Sequence, residues 1–291
     1  MIMKPVDSFQ RDAMARIVII ASLFTLIIAT SGCSNLSAFL FYPNKHYYQH
    51  PEQIGLVAER VKIETSDGDV LANWLVQSVI KPKGTILFLH GNGENISTHI
   101  NSVAWLPVHG YEVFLLDYRG YGRSTGESTL RTALSDIEDA HRWLSNRKEK
   151  RPLYVFGQSL GGALAITYTA NYSQDLTHIT ALVSEAAPAS WPRVAREAMR
   201  NHWLTWLLQV PASLITARYD AEDHLPNITS IPILIMHSKQ DSVVAYHHGK
   251  DLYEAAGDNA QWLELKGKHI AGLNDSVAKD SLLMFLESNR H

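Results

Sequence analysis

Residues 153–163 read LYVFGQSLGGA. The first half is apolar on both faces, as in a strand buried inside a parallel sheet, and the second half opens a helical stretch. A serine between two glycines at such a junction (Gly157, Ser159, Gly161) predicts a sharp strand-to-helix turn that lifts the hydroxyl above the sheet. The glycines lack the Cβ atoms that would block close approach of strand and helix, and Gly162 and Ala163 continue the small-residue patch. Ser159 is therefore a candidate nucleophile on an alternating α/β framework.

The same rhythm repeats on either side. TILFLH (85–90), EVFLLDY (112–118), ITALVSE (179–185) and ILIMHS (233–238) are short apolar runs separated by helical stretches such as 132–144, 160–172 and 246–256. A further run, WLELKG (262–267), precedes a last helix near 276–287. This alternation predicts parallel strands joined by right-handed helical crossovers. Upstream, VKIET and VLANWLVQS flank Ser66-Asp67-Gly68 and predict an antiparallel hairpin. The expected class is α/β, a mostly parallel sheet with an antiparallel N-terminal hairpin. Residues 188–226 interrupt the rhythm. There Ala195, Met199, Trp203, Trp206 and Val210 recur at three- or four-residue spacing, opposite Arg193, Arg196, Glu197 and Arg200. Such an amphipathic helix either completes the core or forms a small helical cap over a pocket, with Trp203 and Trp206 as its apolar wall.

A serine hydroxyl needs a base to take its proton. His269, in Gly267-Lys268-His269 just past the last predicted strand, is the candidate base, and Asp241, at the end of ILIMHSKQD, is the candidate orienting acid. Glu185, also at a strand end, is the alternative acid. The oxyanion of a tetrahedral intermediate needs donors, and main-chain amides suffice. Those of Leu160, directly after the serine, and Asn92, in the loop His90-Gly91-Asn92-Gly93-Glu94-Asn95, are the expected pair. His90 is expected to brace that loop. The adjacent His247 and His248 are expected to point apart on a helix, so no metal site is predicted there. This chemistry requires no metal or organic cofactor.

The 26 Lys+Arg against 29 Asp+Glu, with no long run of either sign, leave no electrostatic footprint for nucleic acid. The single cysteine, Cys33, excludes an internal disulfide and a cysteine-based zinc site. It follows IVIIASLFTLIIA (17–29), thirteen residues without a charge, preceded by Arg11 and Arg16. At about 1.5 Å per residue this run covers about 20 Å, short of a bilayer core and suited to a signal peptide. Ser31-Gly32-Cys33 resembles a bacterial lipobox, although Thr30 stands where leucine is usual. That resemblance implies cleavage before Cys33, lipidation of Cys33, and a membrane anchor on the periplasmic face of the cell envelope. Ser34 favours the outer membrane. The alternative is an uncleaved signal anchor with an incidental cysteine, and translation from Met14 would give a more compact signal. The expected organisation is a signal peptide (1–32), an N-terminal extension (33–60) and one domain (61–291) with a cap insertion at about 188–226.

HGNGEN (90–95), DYRGYGRS (117–124), the turn at Ser159, Asp241 and His269 together resemble an α/β-hydrolase of the Bem46/ABHD13-like serine hydrolase group, over roughly residues 61–287. The order Ser159, Asp241, His269 is that of α/β-hydrolases. The resemblance implies the α/β-hydrolase fold, a Ser159-His269-Asp241 triad, and hydrolysis of a carboxylic ester or thioester through an acyl-enzyme. DYRGYGRS is expected to be a structural turn. The expected substrate is a small-molecule or lipid-like ester. The rival readings are a peptidase or amidase using the same triad and a non-catalytic, surface-anchored binding protein. The sequence leaves the oligomeric state open.

Overall fold

A computed structural model describes residues 40–171, 179–200 and 217–290. The predicted signal peptide, Cys33, Trp203, Trp206 and Val210 lie outside the described residues. Among the described residues eight strands form one sheet: β1 (Ala58–Glu64), β2 (Val70–Val76), β3 (Gly84–Leu89), β4 (Tyr111–Leu116), β5 (Leu153–Gln158), β6 (Ile179–Glu185), β7 (Ile233–Ser238) and β8 (Ala260–Leu265). Their spatial order is β1-β2-β4-β3-β5-β6-β7-β8. β2 runs antiparallel to both β1 and β4, and every other pair is parallel. The expected fold class is thus met, hairpin included.

Burial explains the two kinds of strand. In the outer strand β1, Val61 and Ile63 are buried between exposed neighbours, as in a half-solvated antiparallel strand. β3, β4, β5 and β7 are buried at every position, which is why they read as unbroken apolar runs. The hairpin turns at Gly68, whose φ of +90° favours glycine.

The longer helices are α2 (Leu130–Ser145), α3 (Leu160–Asn171), α4 (Trp191–Arg200), α6 (Tyr246–Ala256) and α7 (Ser276–Ser288), with single turns α1 (Ile96–His99) and α5 (Ala221–His224). Thr129 caps α2, its Oγ1 accepting from the Thr132 N–H at 3.1 Å. Because side chains alternate across each strand, two apolar layers result. Leu87, Phe114, Val155 and Ile235 pack with α2, α3 and α6 through Ile137, Leu164 and Leu252. Ile86, Phe88, Phe156 and Met236 pack with α7 through Leu282 and Phe285. Burying each such side chain contributes about 1.5–3 kcal/mol. Among the described residues no helix is long and apolar enough to cross a membrane.

In DYRGYGRS, Arg119 is buried with its Nε 2.6 Å from Asp136 Oδ1, and its guanidinium also meets Asp67 of the hairpin turn. The stretch therefore ties the hairpin to α2. The C-terminal ends of the parallel strands, where open α/β sheets place their sites, carry Ser159, Glu185 and Asp241.

Candidate active site

Ser159 has φ +53°, an unusual conformation for a residue with a side chain. It is held there by the framework. Its N–H donates to the Glu185 carbonyl at 2.8 Å, and its own carbonyl accepts from Gly162 N–H at 2.9 Å as α3 begins. The turn depends on the absence of side chains. A Cβ on Gly157 would overlap the Gly161 carbonyl, and one on Gly161 would overlap the Leu89 carbonyl.

The structure brings the three predicted side chains together. Ser159 Oγ lies 2.9 Å from His269 Nε2, and His269 Nδ1 lies 2.7 Å from Asp241 Oδ2. Asp241 is fixed further by the Val243 and Val244 N–H groups, which donate to its Oδ1 at 2.8 and 2.9 Å. Burial pushes its carboxyl up, but the His269 hydrogen bond and charge and the two amides outweigh this and hold it below the usual carboxylate range. The loops carrying acid and base are cross-linked: Ser238 Oγ donates to Gly267 O at 2.6 Å, and Gly267 N–H donates to Gln240 Oε1 at 2.7 Å. With Nδ1 directed at the carboxylate, the Nε2 lone pair faces the serine hydroxyl, the tautomer a general base needs.

Sequence reasoning missed His237. It is fully buried, donates through Nε2 to Val244 O at 2.9 Å and lies 3.5 Å from Asp241 Oδ2, so it backs the acid. Burial holds it below the ordinary imidazole range, hence neutral. Its spacing of four residues before Asp241 was the available signal.

Glu185, the alternative acid, is buried and accepts from Gln158 Nε2 at 2.6 Å rather than from His269. Burial, partly offset by the Gln158 bond, pushes its carboxyl up to about 7. Between an ordinary value near 4.5 and about 7 the native chain holds a proton that the unfolded chain has released, so this group's contribution to stability falls as pH rises through that window. Glu185→Gln is expected to leave stability near pH 4 unchanged. At pH 8 it should add up to about 3 kcal/mol, read as a wild-type-to-variant gap in denaturant midpoint that widens with pH. A gap that is constant across pH would refute the assignment.

The second loop passes beside the nucleophile. A Cβ on Gly91 would lie 3.4 Å from Ser159 Cβ and 3.3 Å from His99 Cε1. Among the described residues, the main-chain N–H groups of Asn92 and Leu160 donate no hydrogen bond. His90 Nδ1 donates to Gly91 O at 2.7 Å, and its Nε2 lies 3.4 Å from buried Asp117. His99, another residue missed, stacks on His90 with 5.2 Å between ring centroids and reaches Gly93 O at 3.3 Å. Burial, with the neighbouring His90, holds His99 down at about 3.

His247 and His248 require a correction. Their rings do not point apart but stack, 4.5 Å between centroids, because both reach the carboxylate of Glu197 on α4, each Nε2 3.1 Å from a different oxygen. The three offer donor atoms within 4.8 Å of one another. His248 Nδ1, however, accepts from Ala189 N–H at 3.1 Å, so the proton sits on Nε2 and is donated to Glu197. A metal-binding imidazole needs the opposite tautomer, its second nitrogen donating outward. The cluster is a clamp between α4 and α6, reinforced by Arg193, which pairs with Glu222 at 2.6 Å and Asp251 at 3.0 Å.

The chain is similar to known proteins in sequence and in fold. A family model described as Serine aminopeptidase, S33 matches residues 80–222. The Uncharacterized protein YfhR of Escherichia coli (strain K12) is 29% identical over 262 residues, 86% of this chain and 87% of YfhR. Lysophosphatidylserine lipase ABHD12 of Danio rerio is 30% identical over 200 residues, 65% of this chain but 51% of that protein, so the chain spans about half the length of that relative. Among solved structures, an esterase from Pyrococcus furiosus superposes with a TM-score of 0.70 at 18% identity, covering 87% of this chain and 98% of the esterase. The strand order, the turn at Ser159 and these similarities together give the chain the α/β-hydrolase fold.

Proposed function

We propose that this chain hydrolyses carboxylic esters or thioesters with an apolar, lipid-like acyl group, through an acyl-enzyme on Ser159. The observation that carries the reading is the continuous hydrogen-bonded line from Ser159 Oγ through His269 to Asp241 at a strained strand-to-helix turn. Ser159 Oγ attacks the carbonyl carbon while His269 Nε2 takes its proton, and the oxyanion accepts from the Asn92 and Leu160 amides. The bond to the leaving group then breaks as His269 returns the proton to the departing alcohol or thiol. Water attacks the acyl-enzyme with His269 again as base, the acid is released, and Ser159 recovers its proton. Asp241 keeps the imidazole in register and stabilises its charged form.

The acyl preference is supported by the amphipathic pattern that places Trp203 and Trp206 on one side of the cap sequence, and by a relative named as a lysophosphatidylserine lipase. Membership of the Bem46/ABHD13-like group is part of the same reading. A peptidase or amidase is favoured by the description of the matching family model. That reading needs an acidic site for a substrate amine, yet of the four carboxylates in 188–226 Glu197 is engaged by His247 and His248, Glu222 by Arg193, and buried Asp220 by the Trp191 N–H, leaving Asp223.

A fluorophosphonate probe should label the folded protein on the peptide containing Ser159, and a p-nitrophenyl octanoate should be cleaved with a higher specificity constant than an aminoacyl p-nitroanilide. Failure to label, or label elsewhere, sinks the catalytic assignment. Faster anilide cleavage would install the amidase reading instead.

We also propose that the chain is lipid-anchored at Cys33 on the periplasmic face of a bacterial envelope, in the outer membrane, as the 17–29 run and Ser31-Gly32-Cys33 support. Radiolabelled palmitate should enter the wild-type protein, and Cys33→Ser should abolish incorporation and release the protein from the membrane fraction. Equal labelling of both forms would end the proposal.

A further inference from the structure

Residues 41–50 form neither helix nor strand, yet their main chain is bonded along the loop that follows β3. The Asn92 side chain is the centre of this contact. Its Nδ2 donates to Leu40 O at 2.5 Å, while its Oδ1 accepts from Tyr42 N–H at 2.8 Å, Tyr121 Oη at 2.9 Å and Gly93 N–H at 2.8 Å. Further along, Asn44 N–H donates to Glu94 O at 3.2 Å, and Asn95 Nδ2 donates to the Asn44 and His46 carbonyls at 2.8 and 2.6 Å. The other edge of the segment holds the 117–124 turn, where Asn44 O accepts from Gly122 N–H at 2.9 Å and Lys45 Nζ donates to Ser124 O at 2.6 Å. Phe41 anchors the start, buried in the core with its ring 6.4 Å from that of Tyr121.

The loop needs such support. Gly93 and Glu94 have φ of +77° and +54°, and a glutamate in that region is strained unless its surroundings impose it. An oxyanion donor accelerates the reaction only when it is aimed before charge develops, and a displacement of about 1 Å can cost about 100-fold in rate. The bonds to the Asn92 side chain fix the residue whose own N–H is assigned to the oxyanion, next to Gly91, at which a Cβ would lie 3.4 Å from Ser159 Cβ.

We propose that residues 40–48 are a positioning strap for the oxyanion loop, buckled through the Asn92 side chain. The proposal rests on the assignment of the Asn92 amide to the oxyanion hole.

Two variants of the full chain test it from opposite sides: Asn92→Ala removes the buckle, and Tyr42→Pro removes the Tyr42 N–H, which donates to Asn92 Oδ1 and Tyr121 Oη, along with an exposed ring. Each is expected to lower kcat about 10- to 100-fold with KM within about twofold. Each should also weaken a substrate-matched trifluoromethyl ketone, which takes Ser159 Oγ onto its carbonyl carbon, by the same factor as kcat/KM. Amide exchange should accelerate across 91–97 and stay unchanged in β5 and β6. Wild-type kcat and loop exchange in both variants overturn the strap, as does a loss shared between kcat and KM with exchange raised throughout the chain. The underlying assignment fails on a different arm: a wild-type enzyme that binds the ketone no better than the corresponding alcohol has no functioning oxyanion hole.

Discussion

Asp241→Asn is expected to lower kcat for ester hydrolysis by about 10⁴-fold while the protein remains folded. The size follows from which atoms face which. Asp241 Oδ1 accepts from two main-chain donors, the Val243 and Val244 N–H groups at 2.8 and 2.9 Å. An asparagine at this position must turn its carbonyl oxygen to those donors, because its NH₂ group cannot accept from them. The NH₂ then occupies the place of Oδ2, 2.7 Å from His269 Nδ1. A donor there makes Nδ1 the acceptor and moves the imidazole proton to Nε2, where it points at Ser159 Oγ and removes the base. Glu185→Gln is the matched control, since Glu185 bonds Gln158 and not His269, and it is expected to change kcat less than about tenfold. Steady-state kinetics of the two variants on one p-nitrophenyl ester decide between the acids. If Asp241→Asn keeps near-wild-type kcat and Glu185→Gln loses it, the acid has been assigned to the wrong strand end.

The parts of the molecule that were legible in the sequence are those in which side-chain identity does the structural work. The apolar runs at 179–185 and 233–238 coincide with β6 and β7, and that at 153–159 exceeds β5 by Ser159 alone, because strands covered on both faces admit little else. Helix α6, Tyr246–Ala256, was readable to its ends. Ser159, Asp241 and His269 could be named because a strand-end position and chain order constrain each of them, and the structure places them in hydrogen-bonding distance. What the sequence hid is bonded through the main chain or through residues with no periodic signature. Leu40, Tyr42, Asn44 and His46 grip the oxyanion loop mainly through carbonyl and amide groups, which every non-proline residue owns, so no pattern of residue types marks the strap. His237 and His99 look like any of the 14 histidines until the fold packs them behind Asp241 and Gly93. The stacking of His247 on His248 was missed for a related reason. Helical geometry separates adjacent side chains, but a carboxylate from another element, Glu197, draws both rings to itself.

Gly161→Ala is expected to destabilise the chain by more than about 4 kcal/mol, at the extreme end of single-residue effects. A Cβ at this position would fall on the Leu89 carbonyl and close to that of His90, at the end of β3. Main-chain atoms cannot rotate aside as a side chain can, so relief requires α3 to move off the sheet and with it the turn that presents Ser159. The same holds in reverse for Gly157, whose Cβ would fall on the Gly161 carbonyl carbon and oxygen. Gly68 supplies the contrast. Its φ of +90° makes alanine unfavourable there, but no atom lies within 4 Å of the added carbon, so Gly68→Ala should cost only about 1–2 kcal/mol. Chemical denaturation of the two variants separates backbone strain from backbone collision. A Gly161→Ala protein that unfolds at the wild-type midpoint would mean that β3, β5 and α3 do not meet as closely as drawn. The geometry that aims Ser159 at His269 would then lose part of its foundation, because that close contact, with the Ser159 N–H bond to Glu185 O and the Gly162 N–H bond to Ser159 O, sustains the positive φ of Ser159.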